Sequence, residues 1–303
     1  MQVCRYLRCE LTKVPVVVVN VEPRRGGALQ AEHLARGLMR LSGHVHLQIP
    51  ATLPGTQLID ILLTASTMGW TGPQSLQQAL STVRQDADKI GVEGAQKLGL
   101  FFARCLHLRH LTLSGHSIRD EGAVVLVPAL LEHTAATLEG LDLRDNYLSD
   151  VSAAVFADGL PLCPKLKTLD MSDNNICVQG AEQLGSSIHK CTSLTALCMG
   201  GNNISAKGAG HLVAALAAKG SALTTLDLRG NNIWDEGVRM IADYLPRFAC
   251  LQTLNLRGNK VGVPLATTLP VRSRSDPGPI SFRSVCMPPP WGVTFLRGPW
   301  RSV

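Results

Sequence analysis

The stretch Leu223-Thr-Thr-Leu226-Asp-Leu228-Arg-Gly-Asn231-Asn-Ile233-Trp-Asp-Glu-Gly237 decides the fold. Leu226 and Leu228 alternate with polar residues, as in a short strand with one buried face. Asn231 follows three residues after the last strand leucine, and the aliphatic Ile233 comes two further on. The same arrangement starts at Leu108, Leu138, Leu166, Leu194, Leu223 and Leu251, at spacings of 30, 28, 28, 29 and 28 residues. The asparagine recurs as Asn146, Asn174, Asn202, Asn231 and Asn259. The aliphatic recurs as Leu148, Ile176, Ile204, Ile233 and Val261. Agreement at so many positions marks an internal repeat.

The second half of each unit has a helical period. A small residue stands four places after the aliphatic: Gly94, Gly122, Gly180, Gly208 and Gly237, with Ser152 as the exception. Apolar residues follow at steps of four, such as Leu126 and Leu130, Phe156 and Leu160, or Ile241 and Leu245. That spacing lays one apolar stripe along a helix face. Asp120, Asp150 and Asp235 fall where helices begin and are expected to cap free N–H groups there. A degenerate unit precedes the six: Leu80, Val83, Gln85, Asp88 and Ile90 stand 28 residues before Leu108, Leu111, Leu113, His116 and Ile118.

No single unit can bury its own stripe, so the units must stack. Helices are wider than the ~4.8 Å strand spacing, and the stack therefore curves with its strands inside. Residues 80–261 resemble leucine-rich repeats of the ribonuclease-inhibitor type, and their units are similar to the arrays of NOD-like receptors and of Ran GTPase-activating proteins. The implied class is α/β: a leucine-rich-repeat solenoid, a horseshoe with parallel strands on its concave face and helices on its convex face. The asparagines read as a structural ladder, each amide serving backbone groups left over in the turns. His116 and Asp88 interrupt that ladder and are expected to be its weaker points.

The flanks differ from this centre. Of the 303 residues, 45% are hydrophobic and 17% charged, which excludes a wholly disordered chain. The net charge is +6, yet residues 80–261 hold 17 Lys and Arg against 18 Asp and Glu. The basic excess lies in 1–79 and 262–303, which argues against nucleic acid as a partner of the repeats. Residues 1–79 are expected to form a cap or degenerate repeats, with a buried strand over Val14–Val21 and a helix over Ala28–Leu41. Residues 262–303 carry Pro288-Pro289-Pro290 and lack apolar period, so an irregular tail is expected. The break is as abrupt as an altered reading frame or splice product would make it. No apolar run approaches the ~20 residues of a membrane-spanning helix.

Candidate chemistry is sparse. No G-x-x-x-x-G-K-[ST] phosphate loop, G-x-S-x-G or H-E-x-x-H occurs. No catalytic residue, metal site or cofactor is expected. Cys105, Cys163 and Cys191 share one repeat position and read as buried thiols, which points to a reducing cytoplasmic or nuclear setting. Cys4 with Cys9, His44 with His46 and His107 with His110 have spacings too common to mark a metal site. Resemblance to the GTPase activators implies an arginine finger as an alternative, with Arg84, Arg109 or Arg119 as candidates.

The strands supply the specific functional expectation. Thr112, Asp142, Asp170, Cys198, Asp227 and Asn255 alternate with the core leucines and should point outward on the concave face. Ser114, Arg144, Ser172, Gly200, Arg229 and Arg257 lie two places along on the same face. An acidic row beside a partly basic row reads as a protein-docking surface, with Asp142, Arg144, Asp170, Ser172, Asp227, Arg229, Asn255 and Arg257 as contacts. Reversing Asp142, Asp170 and Asp227 to lysine is expected to leave folding intact and weaken partner binding. The expected function is a non-catalytic scaffold, adaptor or sensor. The alternatives are a GTPase activator and a tight protein inhibitor of an enzyme.

Overall fold

The computed structural model describes the backbone of residues 7–11, 16–21 and 44–48, and residues 59–60, 62–63, 89–103, 105, 108–217 and 221–262 with their side chains. The helix expected over Ala28–Leu41, the strand half of the degenerate unit with Asp88, and the tail after residue 262 lie outside these, as do Cys4, Arg84 and His107.

Three N-terminal strands form one sheet: β1 (Leu7–Leu11), β2 (Val16–Val21) and β3 (His44–Gln48). The valine run yields β2 from Val16 onward. β1 and β3, which the sequence reading did not include, both alternate apolar with polar residues. β2 pairs antiparallel with β1 and parallel with β3, with Val16 opposite His44, 28 residues on.

The repeats form a second sheet of six parallel strands in chain order: β4 (His110–Thr112), β5 (Gly140–Asp142), β6 (Thr168–Asp170), β7 (Ala196–Cys198), β8 (Thr225–Asp227) and β9 (Thr253–Asn255). The register keeps the sequence alignment of the units, pairing Leu141 with Leu169, Leu169 with Leu197 and Leu197 with Leu226. Helices alternate with the strands: α1 (Gly91–Phe102), α2 (Arg119–Thr134), α3 (Asp150–Gly159), α4 (Val178–Ile188), α5 (Ser205–Leu216) and α6 (Trp234–Tyr244). α1 is the helical half of the degenerate unit, with Leu98 and Phe102 buried. Every strand leucine and helix-stripe residue named above from Leu108 to Leu256 is buried in one continuous core. Each such side chain contributes about 1.5–3 kcal/mol by leaving water. α3 and α6 stop one turn early and give way to 3₁₀ turns at Leu160–Leu162 and Leu245–Arg247. Pro161 and Pro246 have no N–H to continue the α-helical ladder there.

Helix glycines let neighbouring units approach closely. A Cβ on Gly208 would stand 2.8 Å from Ile204 Cγ2 and 3.1 Å from Ala181 Cβ. Ser152 departs from the rule because its hydroxyl has a partner: Asp120 of the preceding unit accepts from the Ser152 hydroxyl and from its N–H.

The carboxylates at the helix starts correct an expectation. Asp120, Asp150 and Asp235 lie inside the first helical turns and reach the next unit rather than capping their own helix. Asp120 accepts from Ser149 N–H at 2.9 Å, Asp150 from Cys177 N–H at 2.7 Å, and Asp235 from Gly262 N–H at 2.8 Å. The turn that follows depends on this acceptor. Ser149 and Cys177, downstream of an aspartate, are extended. Val92, Val178 and Ala206 stand at the equivalent position in other units. There the next turn puts Arg119, Ser205 and Trp234 in the left-handed region. Their N–H groups go instead to the carbonyls of Asn146, Asn231 and Asn259. A left-handed non-glycine residue costs about 1–2 kcal/mol, which the aspartate acceptor avoids.

Candidate functional site

The asparagine ladder runs along the turns just beyond the strands. Asn174 is representative. Its Oδ1 accepts from the N–H groups of Asn146 and Leu148, each at 3.0 Å, and its Nδ2 donates toward the carbonyls of Leu143, Met171 and Ser172, each at 3.0 Å. One amide thus joins two successive units. Asn146, Asn202, Asn231 and Asn259 repeat the pattern, and all five are buried. His116 is fully buried, and its N–H still donates to Asn146 Oδ1 at 3.1 Å. That bond belongs to the rung made by Asn146, as the bond from Asn146 N–H belongs to the rung of Asn174.

The concave face requires a second correction. Asp142, Asp170 and Asp227 do lie on the sheet face opposite the core leucines, but they are only 5%, 8% and 1% exposed. Thr112, Ser114, Ser172, Cys198 and Asn255 are buried too. Alternation sets the face, not the depth. Strands about 4.8 Å apart shade the base of each side chain, and each acid turns its carboxylate back onto the chain. Asp142, Asp170 and Asp227 accept from the N–H groups of Arg144, Ser172 and Arg229 at 3.2, 3.0 and 3.0 Å. Asn255 does the same for Arg257 N–H at 3.2 Å. Lysine in place of the three acids would lose these bonds, so the triple reversal would disturb the fold itself.

Arginines lie over this floor. Arg144 grips Asp142 with two hydrogen bonds, Nε to Oδ1 at 3.0 Å and Nη2 to Oδ2 at 2.8 Å, and its Nε lies 3.4 Å from Asp170 Oδ2. Burial, then the neighbouring Asp142 charge, pushes the Asp170 carboxyl up to about 6 against the pull of Ser172 and Arg144. Arg229 meets Asp227 at 3.5 Å and reaches Asp173, two units back, at 3.3 Å. It crosses the unit between them over Gly200 and Gly201. A Cβ on Gly200 would meet Arg229 Cγ at 2.6 Å. Asp173 and Gly201 are site residues absent from the expected set, which held Gly200. Their signal was a shared backbone demand: Gly115, Asp145, Asp173, Gly201, Gly230 and Gly258 occupy one repeat position and all have positive φ. Glycine, and short polar residues such as aspartate, tolerate that region.

The remaining candidates are placed as follows. Cys105, Cys163 and Cys191 are buried free thiols, and burial pushes Cys163 up to about 12 and Cys191 to about 11. Such thiols are poor nucleophiles. Arg109 pairs with Glu139 at 3.6 Å, and Arg119 is exposed at the start of α2. Burial raises the Asp120 carboxyl, but its hydrogen bonds from Ser149 and Ser152 outweigh that and hold it below the usual range. Cys9, His44 and His46 belong to β1 and β3, where the backbone alone is described. Among the described residues no group of three or more His, Cys, Asp or Glu could hold a metal ion, and no helix is long and apolar enough to cross a membrane.

Four segments, residues 104–127, 162–185, 190–213 and 222–242, match the Leucine Rich repeat family model. The fold is a leucine-rich-repeat solenoid. The chain is also similar to the tropomodulin C-terminal domain of Caenorhabditis elegans, with 14% identity over 52% of this chain and 92% of that one, at a TM-score of 0.42. It is similar to an internalin of Listeria monocytogenes, with 16% identity over 84% of each chain, at a TM-score of 0.38. No curated protein matches the chain in sequence. In the leucine-rich-repeat solenoid the ladder and the aspartate staples serve the scaffold.

Proposed function

We propose that this leucine-rich-repeat solenoid is a non-catalytic protein–protein interaction module that docks its partner on the concave face. The observation carrying this reading is the layer of Arg144 and Arg229 held in ion pairs above a floor of hydrogen-bonded acids. Charged groups fixed by the scaffold lose little freedom on binding, so they give specificity at low entropic cost. The 28–30 residue period and the helix that follows each of β4 to β8 support assignment to the ribonuclease-inhibitor type, with 1–79 read as a cap or degenerate region and 262–303 as an irregular extension. Buried free thiols support a cytoplasmic or nuclear location.

The test is affinity purification from native lysate with the whole chain as bait, beside a variant carrying Thr168→Trp and Thr225→Trp. Both threonines are half-buried and share the face of Asp170 and Asp227. A partner retained by the wild type and lost by the folded variant supports the concave site. A partner held equally by both moves the site to the helices or flanks. Faster GTP hydrolysis by the partner, or loss of its enzymatic activity, would instead favour a GTPase activator or an inhibitor.

A further inference from the structure

The charges on the concave face are segregated along the stack. The units of β5 and β6 contribute Asp142, Asp145, Asp170 and Asp173 against Arg144 alone, a net of −3. The unit of β7 presents Cys198, Gly200 and Gly201 and carries no charge there. The units of β8 and β9 contribute Arg229 and Arg257 against Asp227, a net of +1. Arg144, paired with Asp142 and Asp170, and the Arg229 guanidinium reaching back to Asp173 still leave two more carboxylates than cations over this half. Asp145 and Asp173 are exposed in the acidic half, as is Arg257 in the basic half. The uncharged gap is also the floor over which Arg229 lies toward Asp173.

We infer that the concave face takes a bipolar protein segment, with a lysine- or arginine-bearing part over β5–β6 and an aspartate- or glutamate-bearing part over β8–β9. This rests on the reading of the concave face as the docking surface and adds the chemistry of its occupant. From β5 to β8 there are three strand steps of about 4.8 Å, roughly 14 Å in all. An extended chain advances about 3.3 Å per residue, so the two charged parts stand about four residues apart. A segment of one sign fits only half of the face and is repelled by the other half. Charge order along the partner, not its total charge, is what the face reads.

The experiment uses the whole protein and two labelled peptides of identical composition. One keeps its charges in blocks, Lys-Lys-Gly-Ser-Glu-Glu, and the other interleaves them. Fluorescence anisotropy is read at low ionic strength and again at about 0.5 M salt, where screening is strong. The block peptide is expected to bind about tenfold tighter, with the difference lost in high salt. Asp145→Asn, which keeps a residue tolerant of positive φ, should weaken the block peptide several-fold. It should have no effect on a version whose lysines are serines. Arg257→Gln should weaken both of these peptides. Equal binding of block and interleaved peptides overturns the bipolar reading while leaving concave docking in place. Binding of neither overturns it also, and the lysate experiment then decides docking on its own. Block binding indifferent to both substitutions places the peptide off this face and counts against both readings.

Discussion

Replacing Asn174 with alanine tests whether the ladder holds the solenoid together. The side chain accepts two backbone N–H groups of the preceding turn and donates its two protons toward three carbonyls from both units. Alanine removes all of this and adds no partner. The site is buried, so water replaces the amide poorly. Four lost hydrogen bonds at about 1 kcal/mol each give a loss of about 4 kcal/mol, and desolvated groups left unpaired could raise it further. Against a total stability of about 5–15 kcal/mol this is severe. Asn203→Ala is the control: it sits one residue past the equivalent position of the next unit, exposed, with one hydrogen bond from Asn232 at 3.1 Å. It should cost about 0.5 kcal/mol or less. Urea unfolding followed by far-UV circular dichroism gives both values. Asn174→Ala within about 1 kcal/mol of the control would mean that the turns find other partners, and the reasoning about the ladder would fail.

Ser152→Gly restores the residue found in the other units, yet it should destabilise by about 1–2 kcal/mol, because it removes the hydroxyl bonded to Asp120 and adds helix-disfavouring glycine; a higher thermal midpoint would refute this. Gly208→Ala gains about 1 kcal/mol of helix propensity. It places a methyl 2.8 Å from Ile204 and 3.1 Å from Ala181, so a net loss of about 1–2 kcal/mol is expected by calorimetry. Asp170 has its folded carboxyl raised to about 6, above the ~3.9 of an unfolded chain. The folded protein therefore binds more protons between those values, and stability falls as pH rises from about 4 to 6. Asp170→Asn should remove that slope and gain about 2–3 kcal/mol on the wild type across this range; parallel pH curves for the two proteins would show that Asp170 titrates normally.

How much of the fold was legible follows from what a repeat makes redundant. Leu141, Leu169 and Leu197 announce strands because six units repeat the same demand, and their common depth in the core follows from that demand alone. β1 and β3 have no such redundancy: Leu7, Cys9 and Leu11 alternate with Arg8 and Glu10, but a single five-residue alternation has no second copy to reinforce it. The site was legible by face and not by depth. Period two places Asp142, Asp170 and Asp227 opposite the leucines. Whether an aspartate then stands in water or folds back on its own backbone depends on the next residue's N–H and on a neighbouring arginine, which the period does not contain. The departures from the consensus carried the most information. Ser152 stands where glycine is the rule, and its hydroxyl donates to Asp120 one unit earlier. Asp173 and Gly201 share a backbone conformation and differ in charge, and Arg229 lies over the neighbouring Gly200 to reach Asp173. The scaffold fixes which positions have positive φ, and the choice between aspartate and glycine at those positions then decides where the concave face is acidic. Backbone geometry restricts the alphabet at each turn, and the charge order offered to a partner is written within that restriction.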